Sequence, residues 1–211
     1  MLFDMDGVLV SSIASVNRCW RAWAKHYGVP VGDNYEIPHG VRAVEVMEAL
    51  DPRIDKVEGL KLIEDMEIDD VHDIITLPGA LALTSSLPHE RWSIVTSATF
   101  RLLVARLRAA GLPQPDRIIS GDQVERGKPD PQPYLMGAER LGVAAKDCLV
   151  VEDAPSGVKS GVAAGARVIA VLGTTPEATL RECGATWVVR SLEAVSAVPT
   201  ADGLSVTIDG L

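Results

Sequence analysis

The chain has 211 residues, a formal net charge of −9, and an ordinary globular balance of 47% apolar and 23% charged residues, enough for one large domain or one domain carrying an insertion. The acidic balance disfavours a nucleic-acid partner, whose phosphate backbone needs a basic face, and no apolar run approaches the ~20 residues of a membrane span. Cys19, Cys148 and Cys183 have no paired spacing, which suits a reducing cytoplasm better than a disulfide framework.

The first stretch, "MLFDMDGVLV", reads as a short buried strand ending at Asp4, with Asp6 and Gly7 directly after it. The two acids interrupt the apolar N-terminus, so no signal peptide is read there. Over residues 12 to 27, Ile13, Val16, Trp20, Trp23 and Tyr27 recur at spacings of three and four, which predicts one face of a helix. Ser12 suits the start of that helix and Gly28 its end. Beyond the Pro/Gly-rich "VPVGDNYEIPHG", Val44, Met47 and Leu50 mark a second helical pattern, and residues 51 to 73 hold nine acids against three bases. The span from about 11 to 76 therefore reads as all-helical, with no clear strand.

From Leu77 the pattern changes. "WSIVTS", "RIIS", "CLVVEDA", "RVIAVLG" and "TWVV" read as short buried strands. Helical stretches at Phe100–Ala110, Pro133–Leu141, Val158–Ala164 and Glu177–Cys183 separate them, and "LSVTI" predicts one more short strand at an edge. Alternating strand and helix predicts an α/β fold: a Rossmann-like, doubly wound parallel sheet. Residues 1–10 and 77–211 form this core, and an all-helical cap domain, residues 11–76, is inserted after the first strand.

In open parallel sheets ligands bind beyond the carboxyl ends of the strands. Polar residues fall at those ends here: Asp4 and Asp6, then Thr96 and Ser97, then Glu152 and Asp153, with Lys128 supplied by "RGKPDPQP". Like charges this close call for a cation, and Mg²⁺ suits carboxylates, waters and a substrate phosphate. An ionised Asp4 is a competent nucleophile toward phosphorus, giving an aspartyl-phosphate. Asp6 is placed to protonate the leaving alcohol and later to deprotonate the attacking water. Gly7 lets the backbone turn closely around the phosphoryl group. Thr96, Lys128 and, beside them, Ser97 can hold its oxygens.

"DMDG", "VTSA", "GKPDP" and "VVEDAPSG" resemble, in the expected order, the four motifs of the haloacid dehalogenase superfamily. The resemblance covers essentially the whole chain, the helical block included, which is similar to that family's small cap. It implies magnesium held by the Asp4 carboxylate, the Asp6 backbone carbonyl and Asp153, with Glu152 close by. "IPHGVRAVEVMEAL", "LPHERWSIVTSAT", "GKPDPQPYLMGAERLG" and "SVTIDGL" further resemble the branch of glycerol-3-phosphatases and 2-deoxyglucose-6-phosphatases. The HG-x-R cap element of that branch matches His39, Gly40 and Arg42, which the resemblance implies reach the substrate when the cap closes. Ser11-Ser12 departs from the Asp-Ser of many members and alters the hinge into the cap. Members also carry residues ahead of the first strand, inside which this chain begins.

Each feature has a plainer reading. Asp-x-Asp-Gly alone is more often a turn. His39 can simply pack near Gly40, and Arg42 can pair with Glu45 or Glu48 along a helix. The "EDMEIDD" run is either a second metal site or a solvated helix face, the second being preferred. Trp20 and Trp23 read as cap core rather than a sugar-stacking platform, and the cysteines as core residues. The motifs together favour a cytoplasmic, monomeric, Mg²⁺-dependent phosphomonoesterase acting on a small polyol or sugar phosphate. Two rivals stand beside it: a phosphomutase of the beta-phosphoglucomutase type and a non-catalytic binding protein on the same fold. A mutase needs a second anion site, in the cap or near Thr99 and Arg101, and the acidic cap opposes one.

Overall fold

The computed structural model describes residues 1–210. The chain runs β1 (Leu2–Phe3), β2 (Val10–Ser11), α1 (Ile13–His26), α2 (Ala43–Leu50), α3 (Lys56–Asp69), β3 (Ile75–Thr76), α4 (Ala80–Ser86), β4 (Ser93–Val95), α5 (Phe100–Ala110), β5 (Ile118–Ile119), α6 (Gln132–Leu141) and β6 (Leu149–Glu152). It continues with α7 (Pro155–Ala163), β7 (Arg167–Val171), α8 (Glu177–Glu182), β8 (Trp187–Val189), β9 (Val195–Thr200) and β10 (Gly203–Ile208).

Six parallel strands form one sheet in the order β5-β4-β1-β6-β7-β8. The short strands are nearly all apolar because both faces are covered. Phe3, Ile94, Val151 and Ile169 meet Leu83, Leu103 and Leu107 of α4 and α5 on one face. Leu2, Val95, Val150 and Val168 meet Tyr134, Val158 and Leu180 of α6, α7 and α8 on the other. This is the expected α/β, Rossmann-like sheet. The helix expected from Val158 begins at Pro155, where a proline in the first turn lacks only an N–H that needs no partner.

Between β2 and β3 the chain builds a separate helical unit. Val16, Trp20 and Trp23 of α1 pack with Val46 and Met47 of α2 and Ile63 of α3. The Trp23 indole donates to the Gly59 carbonyl at 2.9 Å, so both tryptophans serve the unit's interior. Asp55 starts α3 by accepting from the Val57 and Glu58 amides.

The structure corrects two expectations of the strand pattern. The helical span is not free of strand: β2 and β3 pair antiparallel, Val10 with Thr76 and Ser11 with Ile75. Two residues are too few to show a period, yet the backbone groups where the chain enters and leaves the unit need partners. "LSVTI" is not an edge of the main sheet; β10 pairs with β9 in its own hairpin against α4. Pro199 disguised β9, since proline suits only edge positions. Among the described residues no helix is long and apolar enough to cross a membrane.

Candidate active site

Because β1 lies between β4 and β6, the carboxyl ends of these strands stand side by side. Asp4 is the first residue past β1, Thr96 the first past β4 and Asp153 the first past β6. Sheet hydrogen bonds continue to the first two: the Asp4 amide donates to the Val151 carbonyl and the Thr96 amide to the Ile119 carbonyl, both at 2.9 Å, while the Asp153 amide donates to Glu152 Oε2 at 3.0 Å. Their side chains are therefore set by the sheet rather than by mobile loops.

Lys128 is buried beneath them. Its ammonium donates to Asp4 Oδ1 at 2.8 Å, Glu152 Oε1 at 2.7 Å and the Val95 carbonyl at 3.0 Å, which uses all three of its protons. Burial alone would lower its proton affinity, but Asp4 and Glu152 outweigh that and hold it above the usual lysine range. Glu152 is saturated in turn: Oε1 also accepts from the Tyr134 hydroxyl at 2.7 Å, and Oε2 accepts from the Asp153 and Ala154 amides at 3.0 and 3.3 Å.

Oxygens of Asp4, Glu152 and Asp153 lie within 4.8 Å of one another. Burial pushes the Asp4 carboxyl up to about 7, against the pull of Lys128. Burial, then repulsion from Glu152 and Asp4, pushes Asp153 well above the usual carboxylate range. Asp153 Oδ1 is buried without a hydrogen-bond partner. An orphaned carboxylate oxygen beside a second buried carboxylate is what a hard, oxygen-seeking divalent cation relieves. The group fits such an ion, with Glu152 bracing the site rather than offering a free oxygen. Gly7 completes the cradle: its φ is +81°, and a Cβ there would stand 2.0 Å from Asp153 Oδ2.

Gly157 in the first turn of α7 serves Glu152 in the same way, since a Cβ would stand 1.7 Å from Oε1. Gly157→Ala is expected to lower stability by about 1–3 kcal/mol through overpacking and to reduce activity by shifting Glu152 off Lys128. Thermal melting and phosphate release measure the two effects; a variant matching the wild type in both contradicts the bracing role.

Asp6 is held on both oxygens. The Ser12 hydroxyl donates to Oδ1 and Arg106 Nη1 to Oδ2, each at 2.6 Å. Ser12 stands at the start of α1 as expected, but its hydroxyl goes to Asp6 and makes no capping bond. Arg106, from α5, is buried and also donates through Nη2 to Glu67 Oε2 at 2.9 Å. Glu67, on α3, is pushed up to about 7 by burial, which outweighs the attraction of Arg106.

The helical unit is closed over these strand ends. Ser97 donates to the Gly40 carbonyl at 2.7 Å and Ser156 to the His39 carbonyl at 3.0 Å. Arg42 donates to Glu45 Oε1 from Nε and Nη2 at 3.0 and 2.5 Å, and to the Val124 and Glu125 carbonyls at 2.8 and 3.1 Å. The guanidinium thus latches the unit to the core. Thr99 donates to Glu64, and Arg101 to Asp65 at 2.5 Å. A cavity of about 310 Å³ lies between, with Asp4, Asp6, Thr96, Asp153, His39 and Arg42 at its polar end and Val16, Trp20, Leu60 and Ile63 in its far wall.

The "EDMEIDD" run is therefore not the solvated face expected. Glu64, Asp65 and Glu67 face α5, and Asp70 accepts from Arg18 at 3.0 Å. Arg106, Glu67, Glu64 and Tyr134 escaped the reading of the sequence. The one signal for the first three was complementarity between this acidic run and the bases of "RLLVARLR". Nothing in the sequence singles out Tyr134.

A family profile described as haloacid dehalogenase-like hydrolase matches residues 1–165. Hexitol phosphatase A of Escherichia coli (strain K12) is 39% identical over 207 residues, covering 96% of this chain and 95% of that protein. 2-Deoxyglucose-6-phosphate phosphatase 2 of Saccharomyces cerevisiae is 31% identical over 221 residues, covering 93% of this chain and 89% of that protein. The solved beta-phosphoglucomutase of Clostridium difficile superposes with a TM-score of 0.77 over 90% of each chain at 20% identity, a likeness of fold alone. With its acids at the ends of adjacent parallel strands and these likenesses across nearly its whole length, the chain belongs to the haloacid dehalogenase-like hydrolase family.

Proposed function

We propose that the protein is a Mg²⁺-dependent phosphomonoesterase that hydrolyses a small polyol or sugar phosphate through an aspartyl-phosphate. The observation that carries this reading is the buried Asp4–Asp153 pair with its orphaned oxygen, beside Asp6 at the cavity. The phosphatase relatives support the substrate class. The helical span 11–76 acts as the cap, and the unpaired thiols suit the cytoplasm; we take the working form to be a monomer.

In this reading an Asp4 carboxylate oxygen attacks phosphorus while the bond to the alcohol oxygen breaks, and Asp6 gives that oxygen its proton. Asp6 then takes a proton from water, which attacks the same phosphorus, frees Asp4 and releases phosphate. Lys128 fixes Asp4 and offsets its charge, and Thr96 and Ser97 line the phosphoryl end. Asp4, the Asp6 carbonyl and Asp153 would hold the Mg²⁺, which when bound would neutralise phosphoryl charge. Gly40 and His39 close the mouth through their carbonyls, and Arg42 acts on substrate by keeping the cap shut.

A phosphomutase needs a second anion site. Thr99 and Arg101, where such a site was expected, face Glu64 and Asp65 instead, which supports water as the acceptor. A phosphate-release screen over hexitol, hexose and glycerol phosphates tests the reading. Release is expected with Mg²⁺, is lost in excess EDTA and returns with added Mg²⁺. Undiminished release in EDTA, or interconversion of sugar 1- and 6-phosphates faster than release, overturns it.

A further inference from the structure

An arginine buried in the middle of α5 is unusual, because the residues beside it on that face, Leu102, Leu103 and Leu107, are apolar core. A buried guanidinium is tolerated only when carboxylates answer it. Arg106 is answered by two from different parts of the fold: Asp6, just past β1, at 2.6 Å, and Glu67, on α3 of the helical unit, at 2.9 Å. Both Arg106 and Glu67 are at most 6% exposed as side chains. The other bridges from α3, Glu64 to Thr99 and Arg101 and Asp65 to Arg101, do not touch Asp6. Of the bridges made by α3, the Arg106 bridge is the one that reaches Asp6, whose other oxygen is held by Ser12 at the start of α1.

We propose that Glu67 is a positioning residue: from the closed helical unit it fixes the Arg106 guanidinium, which in turn holds Asp6 in the orientation needed for proton transfer. The proposal rests on the reading of Asp6 as acid and base. A guanidinium pulled from one side only by Asp6 is free to turn with it. Pulled from both sides, it has one position, and that position exists only while α3 lies over α5. Closure of the cap over substrate thereby completes the hold on Asp6, which Ser12 grips on its other oxygen.

The test uses two substrates on the full-length enzyme with Mg²⁺. Glycerol 3-phosphate expels an alkoxide that needs a proton. p-Nitrophenyl phosphate expels a stable phenolate that does not, although its second step still needs a base. Glu67→Gln keeps the shape and removes the charge. It is expected to lower kcat on glycerol 3-phosphate ~10- to 100-fold with KM within about threefold of wild type. On p-nitrophenyl phosphate it is expected to leave a rapid-quench burst of one phenolate per enzyme ahead of slow turnover. Asp6→Asn should show the same pattern more strongly, Glu67→Asp should recover part of the loss, and Arg101→Ala, which breaks a neighbouring α3–α5 bridge, should show no burst.

If Glu67→Gln does not fold, Glu67→Asp is read by the ratio of rapid-quench first-step rates on the alkyl and aryl substrates, where a shift supports the proposal. An unchanged ratio, a change in KM alone, or an equal pattern in Arg101→Ala overturns it. If Asp6→Asn itself leaves the ratio unchanged, it is the acid–base reading of Asp6 that fails; if Asp6→Asn shifts it and Glu67 variants do not, only the bridge fails.

Discussion

Phosphate release by an Asp4→Asn variant is expected to fall at least ~10⁴-fold, more than ~5 kcal/mol of barrier, with no loss of thermal stability. An amide of the same shape has no anionic oxygen to form the bond to phosphorus, and no neighbour can replace it. Glu152 has both oxygens engaged, and in the proposed reading Asp153 is taken up by the cation. The fold should hold because Asn still accepts from Lys128 and from nothing larger than before. It also removes one of three crowded buried carboxylates whose repulsion opposes folding. Malachite-green phosphate assays and a melting curve read the two halves. A variant within tenfold of wild type refutes the nucleophile, and a collapsed melting temperature shows that Asp4 is needed for the fold as well as the chemistry.

Lys128→Met should be the more damaging change overall. The ammonium is buried, makes three hydrogen bonds and stands between two carboxylates at 2.7 and 2.8 Å. Breaking a buried ion pair from one side leaves uncompensated charge and costs about 3–5 kcal/mol, a large part of the 5–15 kcal/mol typical of a whole domain. For a chain of this size that is roughly 6–20 °C in melting temperature, accompanied by loss of activity. Removing Glu152's charge as well, in Lys128→Met with Glu152→Gln, should return part of the stability but none of the turnover. The two sites share a hydrogen bond and therefore do not act additively. A single variant that melts with wild type contradicts the picture of Lys128 as the counter-charge of the site.

How far the sequence revealed this molecule depended on which physical signal each part leaves behind. Strands buried on both faces leave unbroken apolar runs, so "CLVVEDA" and "RVIAVLG" were readable, and with them a parallel sheet; the order that sets β1 between β4 and β6 and brings Asp4, Thr96 and Asp153 together is seen only in the fold. The two-residue strands at Val10 and Ile75 leave no such mark, and Pro199 hid another. The acids of the motifs were found because four motifs fall in order at strand ends, where Asp-x-Asp-Gly alone is more often a turn. Glu67 and Arg106 were missed for a different reason. A helix face that docks on a polar floor has the composition of one that faces water, and only the partner surface tells them apart. Arg42 shows the same limit: its pairing with Glu45 could be foreseen from their spacing, its grip on the Val124 and Glu125 carbonyls could not.

The pairing of β2 with β3 has a consequence for how freely this protein can change. Closing a flexible loop becomes costlier by about 0.6 kcal/mol with each doubling of its length, so a slack insert of roughly 60 residues would burden the core by ~2.4 kcal/mol more than a tight turn of about four. Here the insert's own folded interior holds its two ends at Val10–Ser11 and Ile75–Thr76 as hydrogen-bonded neighbours. To the sheet, therefore, the whole insert counts as a hairpin turn. Residues can be gained, lost or exchanged within it at little entropic expense to the sheet. In the proposed reading, the part of the molecule that takes the variable end of a substrate is thus free to diverge, while the part that takes the phosphate keeps its register.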